Sequence, residues 1–130
     1  MKGEDLPVTR RRSREFDEQR ERLNRVVMKY AGLGTKRFFG LDDQVYRPGA
    51  LPAGTKELLG LVASLALRCD DCIAYHLIRC RREGITAGEL EEALAVGLVV
   101  GGSIIIPHLR RAWDLWDELE KEETGGAEGR

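Results

Sequence analysis

The chain has 130 residues, 42% hydrophobic and 33% charged, which suits one soluble domain with a real core and is too short for two. A formal net charge of −1 excludes a general electrostatic hold on nucleic acid or on an anionic membrane surface. The first residues, MKGEDLPVTRRRSREF, contain no apolar run of the secretory kind. The longest near-apolar stretch, Ala93 to Pro107, spans 15 residues and is broken by Gly97, Gly101 and Gly102. A membrane span needs roughly 20 apolar residues, so this stretch reads as a core element. A cytoplasmic location is expected, with neither nucleic acid nor membrane as a partner.

One domain over residues 1–130 is expected, with flexible tails at about 1–11 and 122–130. Residues 1–25 carry eight Lys/Arg and six Asp/Glu, and residues 114–130 carry seven acids against Lys121 and Arg130. Both ends read as solvated. Between them, Phe16, Leu23, Val26, Val27 and Tyr30 recur at helical spacing and predict an amphipathic helix over about 12–31. Gly32 and Gly34 end it. A short helix at Phe38–Val45 follows, then a loop rich in Pro and Gly. Residues 55–68 are strong helix formers, apolar on most faces, as in a buried helix. The next helix starts at Cys69-Asp70-Asp71-Cys72, with Asp70 or Asp71 as its cap, and Gly84 closes it. Thr86-Ala87-Gly88-Glu89 is a capping box that opens a helix over about 87–100. Ala93, Gly97 and Gly101 leave a smooth groove on it for another backbone. The last helix covers about 103–121, with Pro107 near its first turns and Leu109, Ala112, Trp113, Trp116 and Leu119 as its stripe. The fold expected is all-α, a compact bundle of five to six helices.

Cys69-x-x-Cys72-x-x-x-His76 is the sharpest chemical feature. Two thiols three residues apart can close a small disulfide ring, and a helix N-terminus favours the thiolate. His76 lies one turn beyond Cys72 on the same helical face and can exchange a proton with a thiol there. In a reducing compartment such a pair points to redox chemistry or metal binding rather than to a structural staple. Glu57 lies twelve residues before Cys69. It reads either as an exposed first-turn carboxylate complementing the helix dipole or, if the two helices fold back as neighbours, as a carboxylate that faces the cysteine pair and needs a partner there.

Glu57, eleven residues, then Cys69-x-x-Cys72-x-x-x-His76 resembles the signature of the alkylhydroperoxidase D-like branch of the carboxymuconolactone decarboxylase family. The likeness runs from about Phe38 to Leu119 and includes FFGLDDQVYRPGALPAGTKELLGL, LALRCDDCIAYHL and the Gly101-Gly102 break. It implies an all-α homo-oligomer, a trimer or hexamer. It also implies a hydroperoxide substrate and a dithiol reductant such as a lipoyl protein or a thioredoxin-like donor, with no cofactor and no metal. The roles it implies are catalytic: Cys72 peroxidatic, Cys69 resolving and facing the reducing dithiol, Glu57 and His76 a proton relay. Dipole reasoning alone favours Cys69, nearer the helix start, as the more acidic thiol; the adjacency of His76 favours Cys72. Asp70 and Asp71 fill a gap where some members of this branch carry a histidine, and two carboxylates beside a thiol oppose its ionisation.

Other readings stand beside this one. Cys69, Cys72 and His76, with Glu57 or His108, form a candidate zinc set, although no second ligand pair is present. A non-catalytic redox-sensing oligomer is another. A lactone decarboxylase is a third, but the decarboxylase members generally lack the cysteine pair. Cys80, eight helical residues from Cys72, lies too far along the helix to pair with it and reads as a buried apolar residue. His108 reads either as a capping or interface histidine or as one that approaches the cysteine site from the last helix, and Trp113 and Trp116 read as core or subunit interface.

Overall fold

A computed structural model describes residues 8–128, with side chains over 12–122. Its described residues form six α-helices: α1 (Val8–Tyr30), α2 (Leu33–Val45), α3 (Ala53–Ala66), α4 (Asp70–Arg82), α5 (Ala87–Gly101) and α6 (Ile106–Glu128). A 3-10 turn at Ser103–Ile105 leads into α6. The all-α expectation holds, and the differences lie at the ends. Of the expected tails, residues 1–7 and 129–130 lie outside the described residues, while α1 and α6 reach into the remainder. Helix α2 begins a turn or more earlier than its apolar residues suggest. Gly32, in extended backbone, is its N-cap, and Gly34 falls inside it.

The helices pack in a series. α5 lies on α3, α3 on α4, α4 on α6, and α6 on α1. The centre is aliphatic: Leu61 and Leu65 of α3, Leu77 of α4, Leu90 of α5 and Ile105 are fully buried. Gly97 is where α5 meets α3. A Cβ there would lie 3.0 Å from Leu65 Cδ2 and 3.4 Å from Val62 Cγ1, so the expected groove is filled by α3. The capping box at Thr86 and Glu89 is formed in both directions, at 3.1 Å and 2.9 Å. Trp116 is in the core and donates from Nε1 to Glu120 Oε1 at 2.7 Å.

Three apolar segments are left exposed among the described residues. The stretch Ala93–Pro107, expected as core, is buried at Leu94, Gly97 and Ile105 but exposes Val96, Val99, Val100 and Ile104. Helix α2 buries no residue and exposes Leu33, Phe38, Phe39, Leu41 and Val45. Leu23, Val26, Val27 and Tyr30 of α1 are exposed as well. The hydrophobic pattern identifies these helix faces correctly, but the described residues of one copy leave them exposed.

Replacing Gly97 by Val should lower the unfolding free energy by about 1–3 kcal/mol through overpacking of the α3–α5 contact. Urea denaturation followed by circular dichroism measures it; an unchanged midpoint would mean that α5 can move away from α3 freely.

Candidate active site

The turn between α3 and α4 is built by backbone geometry. The Arg68 amide donates to Leu65 O at 3.0 Å and the Cys69 amide to Ser64 O at 3.1 Å, the two bonds of a Schellman stop. Arg68 takes the left-handed position at φ 62°, which a side chain disfavours by roughly 1–2 kcal/mol. Cys69 follows in extended backbone and is itself the N-cap of α4, its Sγ accepting from the Cys72 amide at 3.2 Å. This corrects the expectation that Asp70 or Asp71 caps the helix. They sit in its first turn instead, and sulfur takes the amide that a carboxylate was expected to bind. The two sulfurs are joined as a Cys69–Cys72 disulfide with a Cα–Cα distance of 5.3 Å. Cys72 is exposed and Cys69 half-buried.

Glu57 is not an exposed dipole partner. It is 3% exposed, because it falls on the same face of α3 as Leu61, Ser64 and Leu65, the face laid against the rest of the bundle. Its Oε1 lies 2.9 Å from Nδ1 of His76, which is also buried. A carboxylate only accepts, so Nδ1 carries the hydrogen and Nε2 of a neutral ring is left to take a proton. Arg79, one turn beyond His76, holds the second carboxylate oxygen at 3.9 Å. A carboxylate withdrawn from water needs such partners.

Three residues around His76 escaped the sequence reading. Tyr46 and Tyr75 stand against the imidazole at ring-centroid distances of 5.3 Å and 5.1 Å. Lys56 holds the strap that carries Tyr46 by donating to Val45 O at 2.8 Å and Arg47 O at 2.7 Å. Gly60 makes room for both rings: a Cβ there would lie 2.7 Å from Tyr46 Oη and 2.9 Å from His76 Nε2. A glycine inside a run of strong helix formers is the local signal that could have revealed this close approach. Burial raises the Tyr46 hydroxyl pKa, with Asp42, Glu57 and Tyr75 adding to the effect.

Glu57 reaches solvent through a cavity of about 520 Å³ whose walls include Tyr46, Glu57, Tyr75, Arg79, Arg20 and Arg47. Neither cysteine lines it. The structure therefore brings Glu57 and His76 into contact, and Cys69 into contact with Cys72, with the two pairs joined through one turn of α4. Among the described residues the imidazole's hydrogen bond goes to Glu57 and not to sulfur. The zinc set considered above is not assembled, and among the described residues no three His, Cys, Asp or Glu side chains are grouped to hold a metal.

His108 approaches the site from α6, one of the readings open for it: its Nδ1 lies 2.7 Å from Asp70 Oδ1, and Asp70 sits between the two cysteines. No local signal announces a partner 38 residues away. Cys80 is fully buried, as expected. Burial above all, then Glu57 and Glu83, pushes its thiol up to about 12.

Fold and site together define an all-helical protein with a Cys-x-x-Cys disulfide at a helix start and a buried Glu–His pair one turn beneath it. The chain belongs to the carboxymuconolactone decarboxylase family, whose pattern matches residues 34–115. It is similar to a crystallised member of that family from Thermotoga maritima for which a role in antioxidative response has been suggested. The two share 58% identity over 86% of this chain and 95% of that one, with a TM-score of 0.83. A family member from Legionella pneumophila, 23% identical over 85% of this chain and 96% of that one, has the same fold at a TM-score of 0.70. An uncharacterized protein of Cupriavidus necator is 28% identical over 75% of this chain and 92% of its own length.

In the reduced, folded protein, iodoacetamide at mildly alkaline pH should modify two of the three cysteines, and the third only after denaturation. Because the folded Cys80 thiol is raised above its unfolded value of about 8.5, its contribution to stability is complete below that pH and is lost as pH rises toward about 12. Unfolding free energy measured across that window should fall more in the natural chain than in Cys80→Ala.

Proposed function

We propose that the protein is a thiol-dependent hydroperoxidase of the alkylhydroperoxidase D-like kind, serving antioxidant defence. The observation that carries this reading is the buried Glu57–His76 hydrogen bond lying one helical turn from the exposed Cys72 of a closed Cys69–Cys72 pair. Four helical residues rise about 6 Å, within reach of a proton passed directly or through one water.

In the reduced enzyme His76 Nε2 takes the Cys72 proton, and Glu57 stabilises the imidazolium. The Cys72 thiolate attacks the terminal oxygen of a hydroperoxide. The O–O bond breaks, the leaving alkoxide takes the proton from His76, and an alcohol departs. Cys72 is then a sulfenic acid. The Cys69 sulfur attacks the Cys72 sulfur, hydroxide leaves and is protonated to water, and the disulfide closes. A dithiol donor, a lipoyl or thioredoxin-like protein, attacks Cys69 and expels the Cys72 thiolate. The donor's second thiol then frees Cys69, leaving the donor oxidised. Proton exchange with solvent runs through Glu57 and its cavity, away from the sulfurs.

The same reading makes the chain a homotrimer or a hexamer. Its accessible surface is 8578 Å², against about 6,900 Å² for a compact monomer of this mass. The uncovered faces of α1, α2 and α5 are apolar.

Turnover of an organic hydroperoxide with dihydrolipoamide tests the chemistry. Cys72→Ser should abolish it, and Glu57→Gln should lower kcat by about 10²-fold or more, as loss of a proton relay does. Equal rates in the natural chain and Cys72→Ser would reject it, while reversible disulfide formation without turnover would favour a redox sensor. Sedimentation at low micromolar concentration should give an assembly of three or six chains, and an active 14.6 kDa monomer would overturn that part.

A further inference from the structure

Asp70 is the first residue of α4 and the first of the two between the cysteines. Left to itself, its carboxylate would oppose ionisation of both thiols. The structure does not leave it so. His108 Nδ1 lies 2.7 Å from its Oδ1 and Arg111 Nη1 3.1 Å from its Oδ2, both reaching over from α6. Three residues separate His108 and Arg111, and Arg111 Nη1 stands 3.4 Å from His108 Nδ1. The two side chains therefore grip one carboxylate from one helix face. His108 is only 20% exposed, whereas Asp70 and Arg111 are about half in water.

The charged surroundings of the disulfide ring come from four sides. Asp70 and Asp71 belong to α4, Arg68 to the turn before it, and His108 and Arg111 to α6. Arg12, Glu15 and Arg20 of α1 line a small cavity with Asp71. Arg12 also shares a cavity wall with Asp70 and Arg111, but its own ion pairs run to Asp114 and Glu118. Asp70 is thus the carboxylate of the gap that α6 holds directly.

We propose that His108 and Arg111 are positioning residues for the Cys69–Cys72 pair: they fasten the turn that carries both sulfurs to α6 and cancel the Asp70 charge that would hold the thiols protonated. The gap between the cysteines then behaves as if it carried one negative charge fewer than its two aspartates suggest. On this reading the site needs α6 docked. His108 and Arg111 reach the redox turn only while the α4–α6 contact is intact. This deepens the hydroperoxidase reading and rests on it only for the effect on turnover, because thiol acidity is measured without any peroxide.

The test is the pH profile of thiolate ultraviolet absorbance and of iodoacetamide alkylation at Cys69 and Cys72, resolved by peptide mass spectrometry. It uses the reduced full-length chain and four variants. Arg111→Gln should raise the thiol pKa by about 0.5–1, cutting the thiolate present at neutral pH by about threefold to tenfold at low salt. Asp70→Asn should move it the opposite way, and Asp70→Asn with Arg111→Gln should return it close to the natural value. The displacement should shrink in molar salt, because the ion pair is half in water. Arg111→Lys, which keeps the charge and loses the fork, should retain most of the acidity and stands in if Arg111→Gln fails to fold. A clamp that merely stabilises structure would move Asp70→Asn and Arg111→Gln in the same direction, or move neither, and either result overturns the proposal. Missing turnover in the natural chain with these shifts intact would sink the hydroperoxidase reading alone. Normal turnover with no shifts would sink this one alone.

Discussion

The hydrogen bond between Glu57 and His76 is the constraint on which the rest of the structure turns. Both groups are buried at the α3–α4 contact, where an isolated carboxylate would not survive as an anion. Its stability there requires the imidazole at 2.9 Å and the Arg79 guanidinium behind it. That requirement sets how α4 is rotated against α3. The rotation in turn requires a residue without a side chain at Gly60, and it leaves a slot for the Tyr46 ring. It also decides that Cys69 and Cys72, at the start of α4, come out at the surface.

Two polar systems consequently flank one pair of sulfurs, and they differ in kind. Glu57 and His76 lie inward, away from water, where a proton can be held at a defined atom and passed on. Asp70, His108 and Arg111 lie outward in a half-exposed cluster, where salt and solvent weaken each interaction. The inner pair suits proton transfer, whereas the outer cluster suits placement of the turn and compensation of charge. The disulfide ring bridges them because Cys69 both ends the Schellman turn of α3 and caps α4 with its sulfur. Little separates the backbone device that stops one helix from the chemical group that starts the next.

The distribution of apolar surface follows from the same architecture. The site lies at the contact of α3 and α4, while α5 packs on α3 and α6 on α4. The C-terminal half of α1 and the whole of α2 are left with exposed apolar residues that none of the described elements covers. The α2 strap is nonetheless tied to the site, since Lys56 grips its end and Tyr46 projects from it. Whatever lies against α2 therefore also steadies one wall of the Glu57 cavity.

Much of this was legible in the chain before any folding was considered. Helical spacing marked α1 and α6, helix-forming composition marked α3, the Phe38–Val45 stretch marked part of α2, the Thr86–Glu89 box marked the start of α5, and Gly84 marked the end of α4. The Cys69-x-x-Cys72 spacing marked a redox pair, and with Glu57 and His76 it pointed to the family. Those signals are local, arising from residues within one or two turns of each other, where the backbone alone fixes what can meet. The inward turn of Glu57, the close approach at Gly60 and the capture of Asp70 by His108 and Arg111 were settled only by tertiary structure. Each depends on how separate elements pack, with Glu57 and His76 19 positions apart in sequence and Asp70 and Arg111 41 apart. Such rotations are settled where whole helix faces meet, the buried Glu57–His76 pair among them, and a local pattern carries at most a hint of them, as the glycine at position 60 does.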